Sequence, residues 1–281
     1  MVRGDMAERH NLSEDEGDEG QISLDGRIKS VALTFRIIEE MANAGEPIGV
    51  SELARRVGEA KARIHRHLLT LRDLGILAQD QQSERYSLGW KLFQLGQAVA
   101  SQSVIQTIAD PHLRRLRDKT KLTTLLAVPA NNQMIVAHVV ESESPIAVVV
   151  RKGLLLPAHA SAHGRLMLAF SAPELADRVL SGSLRKYAPD SLVDPRKIRK
   201  RMEYARAELY DWTENETAYG VNSIAAPILT KQNELIAAIG IAGTHLQIAF
   251  PLDPALIDLV RSCAAKISAE FGSSAFERLA R

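Results

Sequence analysis

Between residues 48 and 91 the hydrophobic positions repeat first with a helical period and then with a strand period. Residues 51–57 place apolar side chains at i, i+1 and i+4, and Ser51 stands where an N-cap is expected. After Gly58 the segment 61–74 has an apolar stripe with the spacing i, i+4, i+7 and i+10: Ile64, Leu68, Leu71 and Leu74. Two short helices separated by a glycine-containing turn predict a helix-turn-helix.

The period changes at Gly75, which follows the second helix where a C-cap residue belongs. Apolar residues 76–77 predict a strand, the polar run 79–85 predicts a turn, and residues 86–88 predict the returning strand. A hairpin in this place is the wing of a winged helix-turn-helix. We therefore expect such a domain over residues 26–89.

The segments on either side of this domain have different patterns. Residues 1–25 are rich in Gly, Glu and Asp with scarcely any apolar residue, which predicts a disordered acidic tail. Residues 28–42 predict the first helix of the domain from an apolar stripe: Val31, Leu33, Phe35, Ile38 and Met41. Residues 90–104 repeat apolar positions at i, i+3 and i+7, which predicts a linker helix.

From residue 105 to residue 281 helical and strand patterns alternate, which predicts a second, larger domain. Strands are predicted by short β-rich runs: residues 122–128, 134–140, 146–150, 224–229 and 235–242. Helices are predicted for five other runs: residues 108–119, 162–170, 173–180, 195–209 and 254–276. Pro111 is expected near the start of the first of these helices, where its missing N–H costs least. A sheet of five or six mainly antiparallel strands with helices against it gives an α+β fold.

Basic residues are concentrated on the predicted helix-turn-helix, although the net charge of the chain is only +1. Residues 51–91 contain eight Lys or Arg against five Asp or Glu, a local excess that suits the phosphate backbone of DNA. Four side chains of the second helix are candidates for contacts in the major groove: Lys61, Arg63, His65 and Arg66. Four others are candidates for phosphate contacts: Arg55, Arg56, Arg85 and Lys91. The alternative is a solvated basic face on a protein-interaction module.

The cysteine content and the absence of apolar runs indicate a compartment. Cys263 is the one cysteine, so an intramolecular disulfide is impossible, and we expect a small buried hydrophobe. The chain shows no export leader and no apolar run of about 18 residues that could span a membrane. We expect a cytoplasmic protein.

These patterns resemble the DNA-binding half of the IclR-type transcriptional regulators. The matching stretches are SELARRVG, KARIHRHLLTLRDLGIL and RYSLGWKLFQLG, in that order. Ala62 and Arg63 stand where the family commonly has Ser and Thr, and His67 replaces a Leu. We include Ser51 and Ala62 in the predicted DNA-binding set, and we expect Arg63, as a long cation, to alter operator preference.

The second half resembles the effector-binding half of the same family through two long motifs, LLLPAHASAHGRLMLAF and AYGVNSIAAPILTKQNELIAAIGIAG. The resemblance implies a GAF-like domain that binds a small molecule. It places the family's effector pocket on eight residues: Val148, Leu156, Ala162, His163, Val221, Ser223, Gly240 and Ala242. A helix opened by residues 162–165 would offer free N–H groups to an anion, which agrees with the acids that usually act as effectors in the family.

Departures from the family pattern bear on the ligand. Gly240 and Ala242 stand where Ser is common, and Thr213 stands where an acidic residue is common. His163 occupies a position that is usually small or apolar. The pocket should therefore be roomier and less hydroxylic at one end, with a titratable ring at the other. We expect an aromatic or otherwise bulky carboxylic acid, contacted by His163, Ser223 and helix N–H groups. The alternative is that His163 faces away from any ligand.

Two other chemistries compete with this interpretation. Ser161 lies between His159 and His163, and Asp177 or Asp190 could complete a catalytic triad. However, no Gly-x-Ser-x-Gly elbow surrounds the serine. Two histidines four residues apart are too few for a metal site, and the Glu of a His-Glu-x-x-His motif is absent. We expect no enzyme, no metal and no cofactor.

The resulting expectation is a ligand-responsive transcription factor. Its partners would be a near-palindromic double-stranded DNA operator and an organic acid from a catabolic pathway. By resemblance it forms a homodimer or homotetramer, and the linker helix connects its two halves. A repressor is favoured over an activator.

Overall fold

The computed structural model describes residues 28–101 and 103–280, except for the side chains of residues 100, 101 and 278–280. The described chain divides into two compact units after Val99. The first is a winged helix-turn-helix and the second is an α+β domain, as the hydrophobic patterns predict. The predicted acidic tail, residues 1–25, lies outside the described residues.

The first unit is built from helices and one hairpin around a single core. Its described elements are α1 Lys29–Ala44, α2 Val50–Val57, α3 Lys61–Asp73, β1 Leu77–Gln79, β2 Tyr86–Leu88 and α4 Trp90–Ser101. The two strands pair antiparallel, with Ala78 opposite Ser87. Leu53, Ile64 and Leu68 have no exposed surface, and burying each such side chain stabilises the fold by about 1.5–3 kcal/mol. The buried stripes of the helices therefore hold the unit together.

The predicted start of α2 is wrong by two residues. The helix begins at Val50, and its N-cap is Gly49 in extended conformation. Ser51 therefore lies inside the first turn, exposed, and does not cap the helix. At the other end of the motif, Leu74 follows the last turn of α3 and is 54% exposed, so the core stripe of α3 ends at Leu71.

The predicted apolar stripe of α1 mixes two faces of the helix. The buried positions are Leu33, Ile37 and Met41. Val31 and Phe35 are 50% and 61% exposed, because they lie two residues from Leu33 and Ile37 and point away from the core. The helix thus buries one apolar face and exposes a second.

Gly89 lies against the backbone at the end of the wing. Its N–H donates to the Ile76 carbonyl at 2.7 Å. A Cβ added at this position would lie 2.9 Å from the carbonyl carbon of Ile76 and would overlap the carbonyl oxygen of Gly75. Backbone cannot move aside as a flexible side chain can.

Gly89→Ala is therefore expected to destabilise the first unit by about 1–3 kcal/mol. Gly96→Ala is the matched control, since a Cβ there meets nothing within 4 Å and Ala favours a helix by about 1 kcal/mol. Urea unfolding followed by circular dichroism measures both. Equal stability of the two variants would contradict the close packing at Gly89.

The second unit is a six-stranded sheet with helices on both faces. Its described elements are α5 Val104–Thr120, β3 Thr123–Ala130, β4 Gln133–Val140, β5 Leu155–Leu156, α6 Ala162–Phe170, α7 Pro173–Leu180, α8 Pro195–Glu208, β6 Asp211–Glu214, β7 Val221–Leu229, β8 Leu235–Thr244, α9 Pro254–Glu270 and a 3-10 turn Ala275–Ala280. The strand order is β5-β4-β3-β8-β7-β6, and all neighbours are antiparallel.

Alternation along the central strands sends side chains to two different layers. In β7 and β8, Ile224 and Ile239 face the core formed with α5 and α9. Ala225 and Ala238 face the opposite layer, which contains α6. Small residues on that face let α6 approach the sheet closely. This is the face on which the predicted effector residues lie.

Several predicted elements of this unit are wrong. Residues 146–150 form no strand, and the residues that pair with the edge of β4 are Leu155 and Leu156 instead. α5 begins at Val104, so Pro111 is inside the helix rather than near its start. β6 was not predicted at all. The last helix ends at Glu270 and not at residue 276.

Candidate functional site

The outward face of α3 is basic and exposed. Lys61, Ala62, His65 and Arg66 are all exposed. Arg66 lies two residues from both Ile64 and Leu68, which are buried, so it projects away from the core. A helix with this division of faces fits the major groove of DNA.

Arg63 differs from its neighbours on α3. Its guanidinium forms an ion pair with Glu59, 3.2 Å away in the preceding turn, and its side chain is 31% exposed. Arg63 therefore lies beside the outward face, and part of its charge is balanced within the protein.

The predicted phosphate contacts surround this helix. Arg55 and Arg56 are exposed on α2, and Arg56 pairs with Glu52 at 2.6 Å. Arg85 of the wing donates to the Pro47 carbonyl at 2.8 Å, and Lys91 donates to the Leu74 carbonyl at 3.0 Å. These bonds fix where the last two cations lie while leaving other N–H donors of each side chain for phosphate oxygens.

A cavity of about 420 Å³ opens on the α6 face of the sheet in the second unit. Six of the eight predicted effector residues line it: Val148, Leu156, His163, Val221, Ser223 and Ala242. Ala162 and Gly240 do not line it, because Ala162 is buried in the core of α6 and Gly240 lies beneath the ring of His163. Other wall residues were not predicted: Leu125, Val149, Leu154, Tyr187 and Thr217.

His163 projects from α6 into this cavity and is only 3% exposed. A Cβ added to Gly240 would stand 2.8 Å from Nε2 and Cε1 of the ring, so the ring rests on the backbone of β8. Burial lowers the pKa of His163 to about 4, and the imidazole is therefore neutral at pH 7. Its Nε2 is buried without a hydrogen-bond partner among the described residues.

The start of α6 is fixed by Ser161 and Gly164. The Ser161 hydroxyl accepts from the Gly164 N–H at 2.9 Å and donates to the Pro157 carbonyl at 2.7 Å. A Cβ on Gly164 would meet the Ala158 Cα at 2.6 Å, so a glycine is needed for the preceding loop to fold under the helix. Of the N–H groups at 162–165, those of Gly164 and Arg165 therefore bond to Ser161, and those of Ala162 and His163 have no acceptor among the described residues.

A buried ion network lies next to the cavity. Arg165 has no exposed surface, and its guanidinium is 2.6 Å from both the Asp211 and the Glu216 carboxylates. Asp211 also accepts from Arg201, whose guanidinium stacks 3.2 Å from the centroid of the Trp212 ring. Burial raises the pKa of Glu216, and Arg165 opposes that shift. No motif or periodicity in the sequence marks these residues for this role.

The residues considered for catalysis are engaged elsewhere. Ser161 donates to a backbone carbonyl and His159 Nε2 lies 2.9 Å from the Arg185 carbonyl, so the serine has no base. Asp177 pairs with Arg199 on the surface, and Asp190 lines a separate groove. The described residues contain no cluster of His, Cys, Asp or Glu suited to a metal ion. None of their helices is both long and apolar enough to cross a membrane.

That separate groove, of about 670 Å³, runs along α8 and β6 and is lined mainly by charged side chains such as Lys197, Lys200 and Glu214. Small-molecule sites are mostly apolar with a few convergent polar groups. The cavity at His163 fits that description better than the groove does.

Comparison with known families gives matches to both units. The IclR helix-turn-helix domain matches residues 30–81, and the bacterial transcriptional regulator IclR C-terminal domain matches residues 97–269. The second match alone covers more than half of the chain.

Individual relatives align over most of their length. The transcriptional regulator KdgR of Escherichia coli K12 is 27% identical over 246 residues, 87% of this chain and 93% of KdgR. The transcriptional repressor AllR of the same strain is 27% identical over 240 residues, 85% and 89% of the two chains. An IclR homologue from Microbacterium hydrocarbonoxydans, solved with 4-hydroxybenzoate, has a TM-score of 0.72 at 24% identity, covering 86% of this chain and 99% of that one.

The similarity therefore includes the winged helix-turn-helix and the cavity-bearing domain. Proteins with this pair of domains bind DNA and a small ligand, and they are regulators rather than enzymes. The chain belongs to the IclR family of transcriptional regulators.

Proposed function

We propose that this regulator is a repressor whose binding to a near-palindromic operator is controlled by an organic acid held in the cavity at His163. The observation that carries the proposal is this mainly apolar cavity, lined at one place by His163, whose Nε2 has no hydrogen-bond partner among the described residues. A bulky apolar body fits the valine and leucine wall, and a polar group fits the end at His163. An aromatic acid from a catabolic pathway meets both requirements.

The relatives support this class of ligand and sign of regulation. One solved homologue is complexed with 4-hydroxybenzoate, an aromatic acid of the expected size. AllR is named a repressor. The operator-bound form acts on chromosomal DNA, so the cytoplasm is the proposed compartment.

The proposed assembly is a homodimer or homotetramer. Apolar side chains are exposed on two helices of the first unit, among them Phe35 at 61%, Trp90 at 81% and Val99 at 72%. Contiguous apolar patches of this kind mark interfaces between proteins. Two copies would place two α3 helices in successive major grooves of a near-palindromic site.

Fluorescence anisotropy with DNA from upstream of the chain's own gene tests the proposal. We expect a Kd below about 1 µM that survives excess random DNA, with affinity falling as salt rises. Adding the effector acid should then release the DNA. If excess random DNA abolishes operator binding both with and without candidate acids, the proposal is overturned.

A further inference from the structure

The cavity at His163 offers an anion no charged partner. None of its lining residues in the described structure is Lys, Arg, Asp or Glu. A carboxylate placed there without a countercharge would lose its hydration and gain little in return. An acid therefore needs a source of positive charge within the cavity.

Two hydroxyls of the wall already have partners. The Ser161 hydroxyl bonds to the Pro157 carbonyl and the Gly164 N–H. The Ser223 hydroxyl lies 2.7 Å from that of Thr213. Among the described residues, Nε2 of His163 is the one buried side-chain nitrogen or oxygen that has no partner. The wall thus contains one buried nitrogen whose hydrogen bond a ligand could supply.

The backbone at the same end adds a second polar feature. α6 is nine residues long, and the N–H groups of Ala162 and His163 in its first turn have no acceptor among the described residues. The N-terminus of a helix carries a partial positive charge that favours an anion. His163, which lines the cavity, therefore favours a carboxylate there through both its ring and its N–H group.

No other charged group on the elements that pack against α6 is placed to stabilise a carboxylate in the cavity. α6 packs against β4, β6, β7, β8, α7 and α8, and β7 and β8 carry no titratable side chain. Charged groups on the other elements are paired with one another: Arg165 with Asp211 and Glu216, Arg201 with Asp211, Arg199 with Asp177, and His138 with Asp110. The remaining ones are exposed, including Glu174, Arg178, Lys200 and Glu214. Among titratable groups, Tyr187 lies in the wall, His159 lies next to Tyr187, and Glu216 directly precedes the wall residue Thr217.

We propose that an organic acid binds with its carboxylate against Nε2 of His163 and that the imidazole takes up one proton as the acid binds. The inference rests on the proposed function, in which an acid occupies this cavity. At neutral pH the acid arrives as its carboxylate and the proton comes from the solvent. The bound pair is a carboxylate and an imidazolium, which donates from both ring nitrogens.

Linkage fixes the direction of the pH dependence. Burial holds the pKa of His163 at about 4 without the acid, and an adjacent carboxylate raises that pKa. Between the lower and the raised pKa, protonation accompanies binding, so the affinity for the acid falls as pH rises. The limiting slope is about tenfold in Kd for each pH unit.

Isothermal titration calorimetry on the full chain tests the proton uptake. Four acids are compared with their uncharged amides: benzoate, 4-hydroxybenzoate, phenylacetate and hexanoate. Titrations at pH 6, 7 and 8 give the slope, and phosphate and Tris buffers at pH 7 give the number of protons taken up. We expect an acid that binds with close to one proton and weakens severalfold per pH unit, while its amide binds poorly.

Two variants assign the proton to one histidine. His163→Gln keeps a polar side chain that cannot titrate, and it should lose both the buffer-dependent heat and the pH slope. His245→Gln, at an exposed position after β8, should retain both. Equal proton uptake in His163→Gln, acid binding without uptake, or preferential binding of the amides would overturn the inference.

Binding of none of these compounds would also overturn it. Anisotropy with operator DNA on the same preparation keeps this failure apart from failure of the proposed function. Specific DNA binding without any acid binding would contradict the proton-linked site but would still support a DNA-binding regulator.

Discussion

Replacing Arg165 by methionine is expected to lower the free energy of unfolding of the second unit by about 3–5 kcal/mol. Arg165 has no exposed surface and holds the carboxylates of Asp211 and Glu216. Methionine fills similar space but carries no charge, so Glu216 would lose its partner and Asp211 would keep only Arg201. Breaking a buried pair costs more than the pair contributes, because a buried charge is left uncompensated.

The measurement is urea unfolding followed by the fluorescence of Trp212, in a background where the exposed Trp90 is phenylalanine. Arg199→Met is the matched control, since its ion pair with Asp177 is exposed at both ends and contributes at most about 1 kcal/mol. Adding Asp211→Asn and Glu216→Gln to Arg165→Met should recover part of the loss. If Arg165→Met lowers the free energy of unfolding no more than Arg199→Met does, Arg165 does not compensate buried carboxylates.

Replacing Arg66 by alanine is expected to weaken operator binding by about 10- to 100-fold and to relax the sequence preference. Arg66 projects from the middle of the exposed face of α3, opposite the buried Ile64 and Leu68. A long cation in the major groove contributes about 1–3 kcal/mol of discrimination when it bonds to a base edge. Arg63→Ala should have a smaller effect, because Arg63 shares its charge with Glu59.

Anisotropy titrations with operator and random DNA measure both parts of this effect. Arg72→Ala is the control on the same helix, since Arg72 lies in the last turn and bonds to Asp73 and Gln79. It should leave the ratio of specific to random binding unchanged. If Arg66→Ala keeps that ratio while Arg63→Ala lowers it, α3 enters the groove by a different face.

Local signals in the sequence predict most helix bounds in the second unit. α6 and α7 cover the predicted residues 162–170 and 173–180. Ser161 caps the first of these helices, and Pro173 occupies the start of the second. Capping and proline act within one turn, so the sequence alone contains the information. β3 and β4 are likewise predicted by the turn between them, where Asn131 has a φ of 54°.

Predictions fail where the structure depends on distant partners. Residues 146–150 are mostly β-branched, as in a strand, but a strand also needs a partner, and the residues that pair with the edge of β4 are Leu155 and Leu156. Pro111 lies inside α5 because the helix packs on β3 and β4 over a longer stretch than its own propensity indicates. Tertiary packing overrides local preference in both cases.

The residues of the site also fall into two groups, those that the sequence predicts and those that depend on distant partners. The family resemblance predicts six residues of the cavity wall, because the positions it transfers are already in contact with one another in the family's fold. Arg165 reaches partners 46 and 51 residues away, so no periodicity in the sequence connects them. Tyr187 joins the wall from a segment between α7 and α8 that has no regular pattern.

The two properties that a ligand must satisfy are set by separate elements. In the proposed site, His163 at the start of α6 would select the functional group, whereas Val221 and Ala242, on neighbouring strands, would limit the size of the rest of the molecule. Selection can therefore change ligand size on the sheet without altering the chemistry recognised by the helix. If an acid occupies this cavity, we expect substitutions in β7 and β8 to change the length of acid that a biosensor built on this chain accepts.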